Sequence, residues 1–251
     1  MEGRCRAPLK EKNMSTLAAV MAELKRKGSE QTRKTYERHD PGTKNMFGVK
    51  VADLKVIVKK IKGQQALACE LFATGNYDAM YLAGLVASGK EMTARQLDEW
   101  VEGASRMRII AEYSVPFVTV ENPDARKIAL RWMKSKKELI AAAGWATYAD
   151  LLALTADSEL DQKEIQSLLE TIVKSIHSAP NRVKMTMNRF VIAVGSYVKP
   201  LSEAAKAAAT KIGELSVSVG DTACKVPAAT AYIEKMEKNG RAFKKRKTTR
   251  C

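Results

Sequence analysis

The stretch DQKEIQSLLETIVKSIHS, residues 161–178, sets Ile165, Leu168, Leu169, Ile172, Val173 and Ile176 on one stripe, with lysine, glutamate and glutamine opposite. Apolar residues three and four apart stack on one face of a 3.6-residue turn. The spacing therefore predicts an amphipathic α-helix that buries that face against a neighbour. The same period recurs on both sides. In VKVADLKVIVKKIKG, residues 49–63, Val51, Leu54, Val58 and Ile61 align, and Gly63 ends the run. In NRVKMTMNRFVIAVGSYV, residues 181–198, Met187, Phe190, Val191, Val194 and Val198 share a face. Thr93 and Gln96 have capping-box spacing ahead of Leu97, Trp100 and Val101, and Pro123 stands ready for the first turn of a helix through residue 135. Strand alternation is confined to SVSVG at 216–220, too short to build a sheet. The predicted fold class is all-α.

Short Gly, Asn or Asp turns divide the helical runs into pairs: 51–62 with 64–74, 77–89 with 93–104, 107–118 with 124–135, 138–154 with 160–177, and 183–197 with 201–214. Pairs of about forty residues predict a right-handed α-solenoid of HEAT-like repeats, with a globular bundle as the alternative. The repeat domain is expected over residues 14–234. Residues 1–13 are polar and patternless and read as a disordered extension, and residues 235–251 as a basic, mobile C-terminal tail with Gly240 as its helix stop.

Lys+Arg 43 against Asp+Glu 28 gives a formal net charge of +15, which favours a polyanionic partner. The expected ligand is duplex DNA, gripped by its phosphates on a basic concave face. Cysteines 5, 69, 224 and 251 form no CxxC pair, so neither a disulfide framework nor a zinc site is expected, and a reducing, cytoplasmic location is. Cys224 beside Lys225 has the setting of a reactive thiol, although a lone cysteine is far more often a small buried residue. His39 and His177 have no partner at ligand spacing, so no metal is expected. No dinucleotide fingerprint or phosphate loop occurs, so no cofactor is expected, and no apolar run is long enough to span a membrane.

The run SRMRIIAEYSVPFV, residues 105–118, places Glu112 among Ile109, Ile110, Ala111, Val115 and Phe117, with Pro116 just beyond. From the residues alone, Glu112 is either a surface acid paired with Arg108 four residues earlier or a carboxylate held for use. This run, the FGVKVADLKVIVKK opening at 47–60, the helix-pair spacing and the closing GDTACKVPAATAYIEKMEKNGR at 220–241 together resemble the DNA alkylation repair family. Its AlkD-type members are HEAT-like repeat DNA glycosylases that remove cationic alkylated purines. The resemblance spans about residues 30–240.

The resemblance implies a carboxylate shortly before a Val-Pro pair, and the matching position is Glu112. There it would stabilise the positive charge that develops on the deoxyribose and would orient water. It also implies a tryptophan where this chain has Met107 and Arg108, a second aromatic where it has Ile192, and an arginine three residues after Trp145, where it has Tyr148. Trp145 and Tyr148 are the candidate lesion-site aromatics, with core packing as their other reading. Arg106, Arg108, Lys184 and Arg189 are candidate internal DNA contacts, and Lys244, Lys245, Arg246 and Lys247 supply the tail's. The function expected is recognition of damaged duplex, with hydrolysis of the N-glycosidic bond as its chemistry. A non-catalytic nucleic-acid module and a protein-interaction scaffold are the rivals.

Overall fold

The computed structural model describes residues 16–41, 43–219 and 225–250. The 1–13 extension and Cys224 lie outside them. The described residues form helices and no strand, and none forms at 216–219 of SVSVG. In chain order they are α1 (Leu17–Lys27), α2 (Glu30–His39), α3 (Val51–Ile61), α4 (Gln65–Ala73), α5 (Tyr77–Val86), α6 (Ala94–Gly103), α7 (Val115–Thr119), α8 (Ala125–Met133), α9 (Glu138–Leu154), α10 (Gln162–Ser175), α11 (Asn181–Tyr197), α12 (Ser202–Ile212) and α13 (Ala229–Lys238). A π-helical turn, Ile110–Ser114, runs straight into α7. The Thr93–Gln96 capping box forms as its spacing predicts. Pro123 instead precedes α8, whose N-cap is Asp124.

The helices stack as an α-solenoid. An inner row runs α5, π turn with α7, α9, α11, each touching the next. The helices α4, α6 and α8 back onto α5, α7 and α9, and α12 onto α11. The first three pairs are offset by one helix from the pairing that the turns suggest, and the fourth, α9 with α10, does not form, since α10 packs chiefly on α12. The reason lies in what each helix has to bury. An outer helix such as α8 owns one apolar stripe, Ile128, Ala129 and Trp132, and gives it to α9. Inner helices are covered on nearly every side, and α5 is buried along its whole length.

Close approach within the row needs small residues. A Cβ on Gly144 would lie 2.6 Å from the Met133 nitrogen and 2.7 Å from the Ala129 oxygen, so glycine lets α8 and α9 meet backbone to backbone. A Cβ on Gly84 would sit 2.6 Å from the Ser114 Cβ, which is how tightly α5 abuts the π turn. Two apolar clusters result, one built from α1 to α9 and the other from α8 to α13, and α9 contributes Ile140 and Ala143 to the first and Trp145, Tyr148 and Leu152 to the second.

The basic tail is docked rather than a free arm. The 234/235 boundary falls inside α13, which ends at Gly240 in a left-handed conformation (φ 60°). Beyond it the chain crosses the C-terminal ends of the inner helices. The Phe243 N–H donates to Ser196 of α11 at 2.7 Å, and the Arg246 N–H to Ala153 of α9 at 2.8 Å. Lys245 Nζ donates to the Leu152 carbonyl at 2.9 Å and forms an ion pair with Asp157 at 2.8 Å. Arg250 reaches the carbonyls of Leu85 and Ala87 at the end of α5, 3.3 and 2.6 Å away, and Glu121 at 2.9 Å. The last carbonyls of a helix lack intrahelical donors and carry the negative end of its dipole, so cations and amides from a strap are their natural partners. Arg250→Ala is expected to lower unfolding stability by about 2 kcal/mol, the worth of a charged, largely buried hydrogen-bonding group. Lys247→Ala on the exposed side should leave the urea midpoint unchanged.

Candidate nucleic-acid interface

Pro116 shapes the site. It has no N–H to give the carbonyl four residues back, and its ring crowds that carbonyl. The chain widens by one residue, so that the Val115 N–H reaches the Ile110 oxygen. The freed Glu112 carbonyl accepts a bond from Arg189 Nη1 of α11 at 3.1 Å.

The Glu112 side chain is buried, at 2% exposure, and is fully engaged. Its Oε1 accepts from Arg182 Nε at 2.6 Å and its Oε2 from Arg182 Nη2 at 2.7 Å, a fork-to-fork ion pair. The Arg182 N–H in turn donates to Glu138 Oε1 at 2.6 Å, placing a carboxylate at the start of α11 where the helix dipole favours it. Burial opposes the Arg182 charge, but the bond and charge of Glu112 outweigh it and hold the guanidinium above the ordinary arginine value.

A second pair lies beside the first. Arg189 bonds Asp150 of α9, a carboxylate only 3% exposed whose Oδ2 has no hydrogen-bond partner among the described residues. Burial pushes the Asp150 carboxyl above its ordinary value, against the pull of Arg189 and Arg246. The Arg189 guanidinium sits 5.3 Å from the centre of the Tyr113 ring. Arg108, Glu112, Tyr113, Arg182, Arg189 and Tyr232 all line one groove pocket of about 500 Å³.

Several expected roles change here. Glu112 is neither a surface acid nor paired with Arg108, because its partner lies seventy positions away on α11. Trp145 and Tyr148 are not groove aromatics. Both are buried edge-on against Phe190, and the Tyr148 hydroxyl turns to Glu164 on α10. Arg189 and Lys245 are committed to Asp150 and Asp157, which takes them from the pool of free phosphate ligands. Arg106 is exposed, and Arg108 and Lys184 half-buried, and none of the three has a carboxylate within ion-pair distance among the described residues. On the strap, Lys244, Arg246 and Lys247 remain exposed.

The expectations passed over Arg182, Asp150, Tyr113 and Tyr232. Arg182 stands seven residues before Arg189, two turns along the same face, and that spacing was the available signal. Among the described residues, no group of three His, Cys, Asp or Glu side chains is placed to hold a metal ion, and no helix is long and apolar enough to cross a membrane.

The model of a family described as DNA alkylation repair enzyme matches residues 20–211. Uncharacterized proteins of Listeria innocua and Listeria monocytogenes are each 29% identical over 225 residues, spanning 88% of this chain and 97% of theirs. A solved structure, from a new family of proteins related to the HEAT-like repeat DNA glycosylases with affinity for branched DNA structures, superposes with a TM-score of 0.85. It is 37% identical and covers 94% of this chain and 99% of its own.

Glu112→Ala leaves Arg182 charged, buried and unpaired, so it is expected to cost about 3–5 kcal/mol of stability. Adding Arg182→Met should recover a large part of that loss. A double-mutant cycle read by urea unfolding measures the coupling, and additive effects would contradict the pairing.

Proposed function

The chain belongs to the DNA alkylation repair enzyme family, and from that premise we propose that it is a structure-selective binder of branched DNA that does not excise bases. The bidentate Glu112–Arg182 pair carries this reading. Excision of an alkylated purine would require carboxylate oxygens turned to the sugar, ready to meet positive charge as it forms. Here both oxygens already hold a guanidinium. The candidate lesion-site aromatics, Trp145 and Tyr148, lie in the core, which supports binding over chemistry.

Phosphate contacts fall to Arg106, Arg108 and Lys184 at the groove and to Lys244, Arg246 and Lys247 on the strap, in keeping with the net charge of +15. The similar protein with affinity for branched DNA supports junctions over uniform duplex as the ligand. The cysteine pattern supports a cytoplasmic location.

Electrophoretic mobility shifts test the reading directly. A four-way junction should bind about tenfold or more tightly than linear duplex of equal length. The affinity should fall steeply with salt, and Lys184→Ala should reduce that log–log slope by about one. Incubation with N-methylated duplex should yield no abasic sites. Base release that disappears in Glu112→Gln would instead establish a glycosylase, and salt-insensitive capture of peptide would establish a scaffold.

A further inference from the structure

Among the described residues, the exposed large hydrophobic side chains are Val56, Tyr113 and Tyr232, the two tyrosines at 37% and 44% exposure. Both tyrosines line the groove pocket that holds Arg108, Arg182 and Arg189, although they belong to different elements, the π turn and α13. We propose that Tyr113 and Tyr232 form a stacking platform for unpaired nucleobases, so that the groove recognises branched DNA by the unstacked bases at its branch point. This rests on the branched-DNA reading above and names the part of the ligand that enters the pocket.

Three observations carry it. Tyr113 is held in place from two sides, by the Phe117 ring at 6.2 Å in an edge contact and by the Arg189 guanidinium, so little conformational freedom is lost when a base stacks on it. Arg189 is itself fixed by Asp150 and by the Glu112 carbonyl, which makes the platform part of the rigid inner row. The charges of the pocket select the ligand. Arg182 and Arg189 are each matched by one carboxylate, and the buried Asp40 carboxylate acts on Arg108, so the pocket is close to balanced in charge. A neutral base with its phosphate at the rim suits a pocket so balanced. Every base has a π-face, and aromatic stacking beside a cationic track is how unpaired strands are held without reading sequence.

Binding should be compared for three DNAs: linear duplex, a fully paired four-way junction, and a three-way junction with two unpaired nucleotides, one of them 2-aminopurine. The wild-type protein should bind the DNA with unpaired bases most tightly and should quench its 2-aminopurine emission. Tyr113→Ala and Tyr232→Ala should each weaken that complex about tenfold and relieve the quenching. Binding to the fully paired junction should change by less than twofold. Tyr113→Phe should behave as wild type. Circular dichroism checks each fold, and the exposed Tyr232 keeps the test decisive should Tyr113→Ala unfold. Equal affinity of wild type for paired and unpaired junctions, or full discrimination in the Tyr232→Ala protein, would overturn the platform while leaving junction binding intact. No binding to any branched DNA would overturn both.

Discussion

One buried ion pair governs how the two halves of this solenoid meet. Glu112 belongs to the first apolar cluster's helices and Arg182 to the second's, and α9 runs between them, packed on both. Removing two charges from water costs several kcal/mol each, and their attraction offsets that only where the geometry is good and the remaining bonds are satisfied. Here they are: two parallel N–H···O bonds join the pair, Glu138 holds the Arg182 N–H, and Arg189 takes the Glu112 carbonyl. Such a pair contributes less to net stability than to uniqueness. A slip of α11 by one turn would strand both charges, so the pair fixes the register of α11 against the π turn more strictly than apolar packing alone.

The cause of this arrangement is local and legible. Pro116 removes one helical donor, the turn widens, and the Glu112 carbonyl takes Arg189 as its donor instead. A lone glutamate among isoleucines and valines in residues 105–118 marks Glu112 as unusual from sequence. What sequence does not carry is the long-range geometry that supplies its partner. Arg108 is four residues away and helical spacing recommends it, whereas Arg182 is reached only through the stacking of α9 and α11. Trp145 and Tyr148 were ambiguous for a related reason. A helix apolar on all sides has no face that periodicity can assign to core or groove, and α9 is such a helix.

Elsewhere the reach of periodicity follows the amphipathicity of each element. Helices with one clear stripe, such as α3, α6, α8 and α10, are placed from sequence to within a residue or two. The helix α2, EQTRKTYERH, has no such stripe, so periodicity does not mark it. It is held by a Ser29 cap and by the Tyr36 hydroxyl on the Val49 carbonyl, both tertiary or positional facts. The pairing offset has the same origin. Turn length says which helices are consecutive, but burial decides which ones share an interface, and the inner row presents apolar surface on more sides than the loops reveal.

The strap divides a single basic run between two tasks. Lys245 and Arg250 turn inward to helix-end carbonyls and carboxylates, while Lys244, Arg246 and Lys247 stay in solvent. Composition alone makes all of these equivalent phosphate ligands, and only the docked backbone separates them. The same division holds in the groove, where Arg182 and Arg189 are ion-paired to buried acids and, among the described residues, Arg106, Arg108 and Lys184 form no ion pair. On the proposed reading, long-range attraction for phosphate would reside at the rim and on the strap, where ions are hydrated and salt screens them. The pocket presents Tyr113 and Tyr232 and is nearly balanced in charge. Under the proposed function, a surface built this way would draw nucleic acid in through its backbone and discriminate by what fits and stacks inside, so that affinity would respond to salt and selectivity to DNA shape.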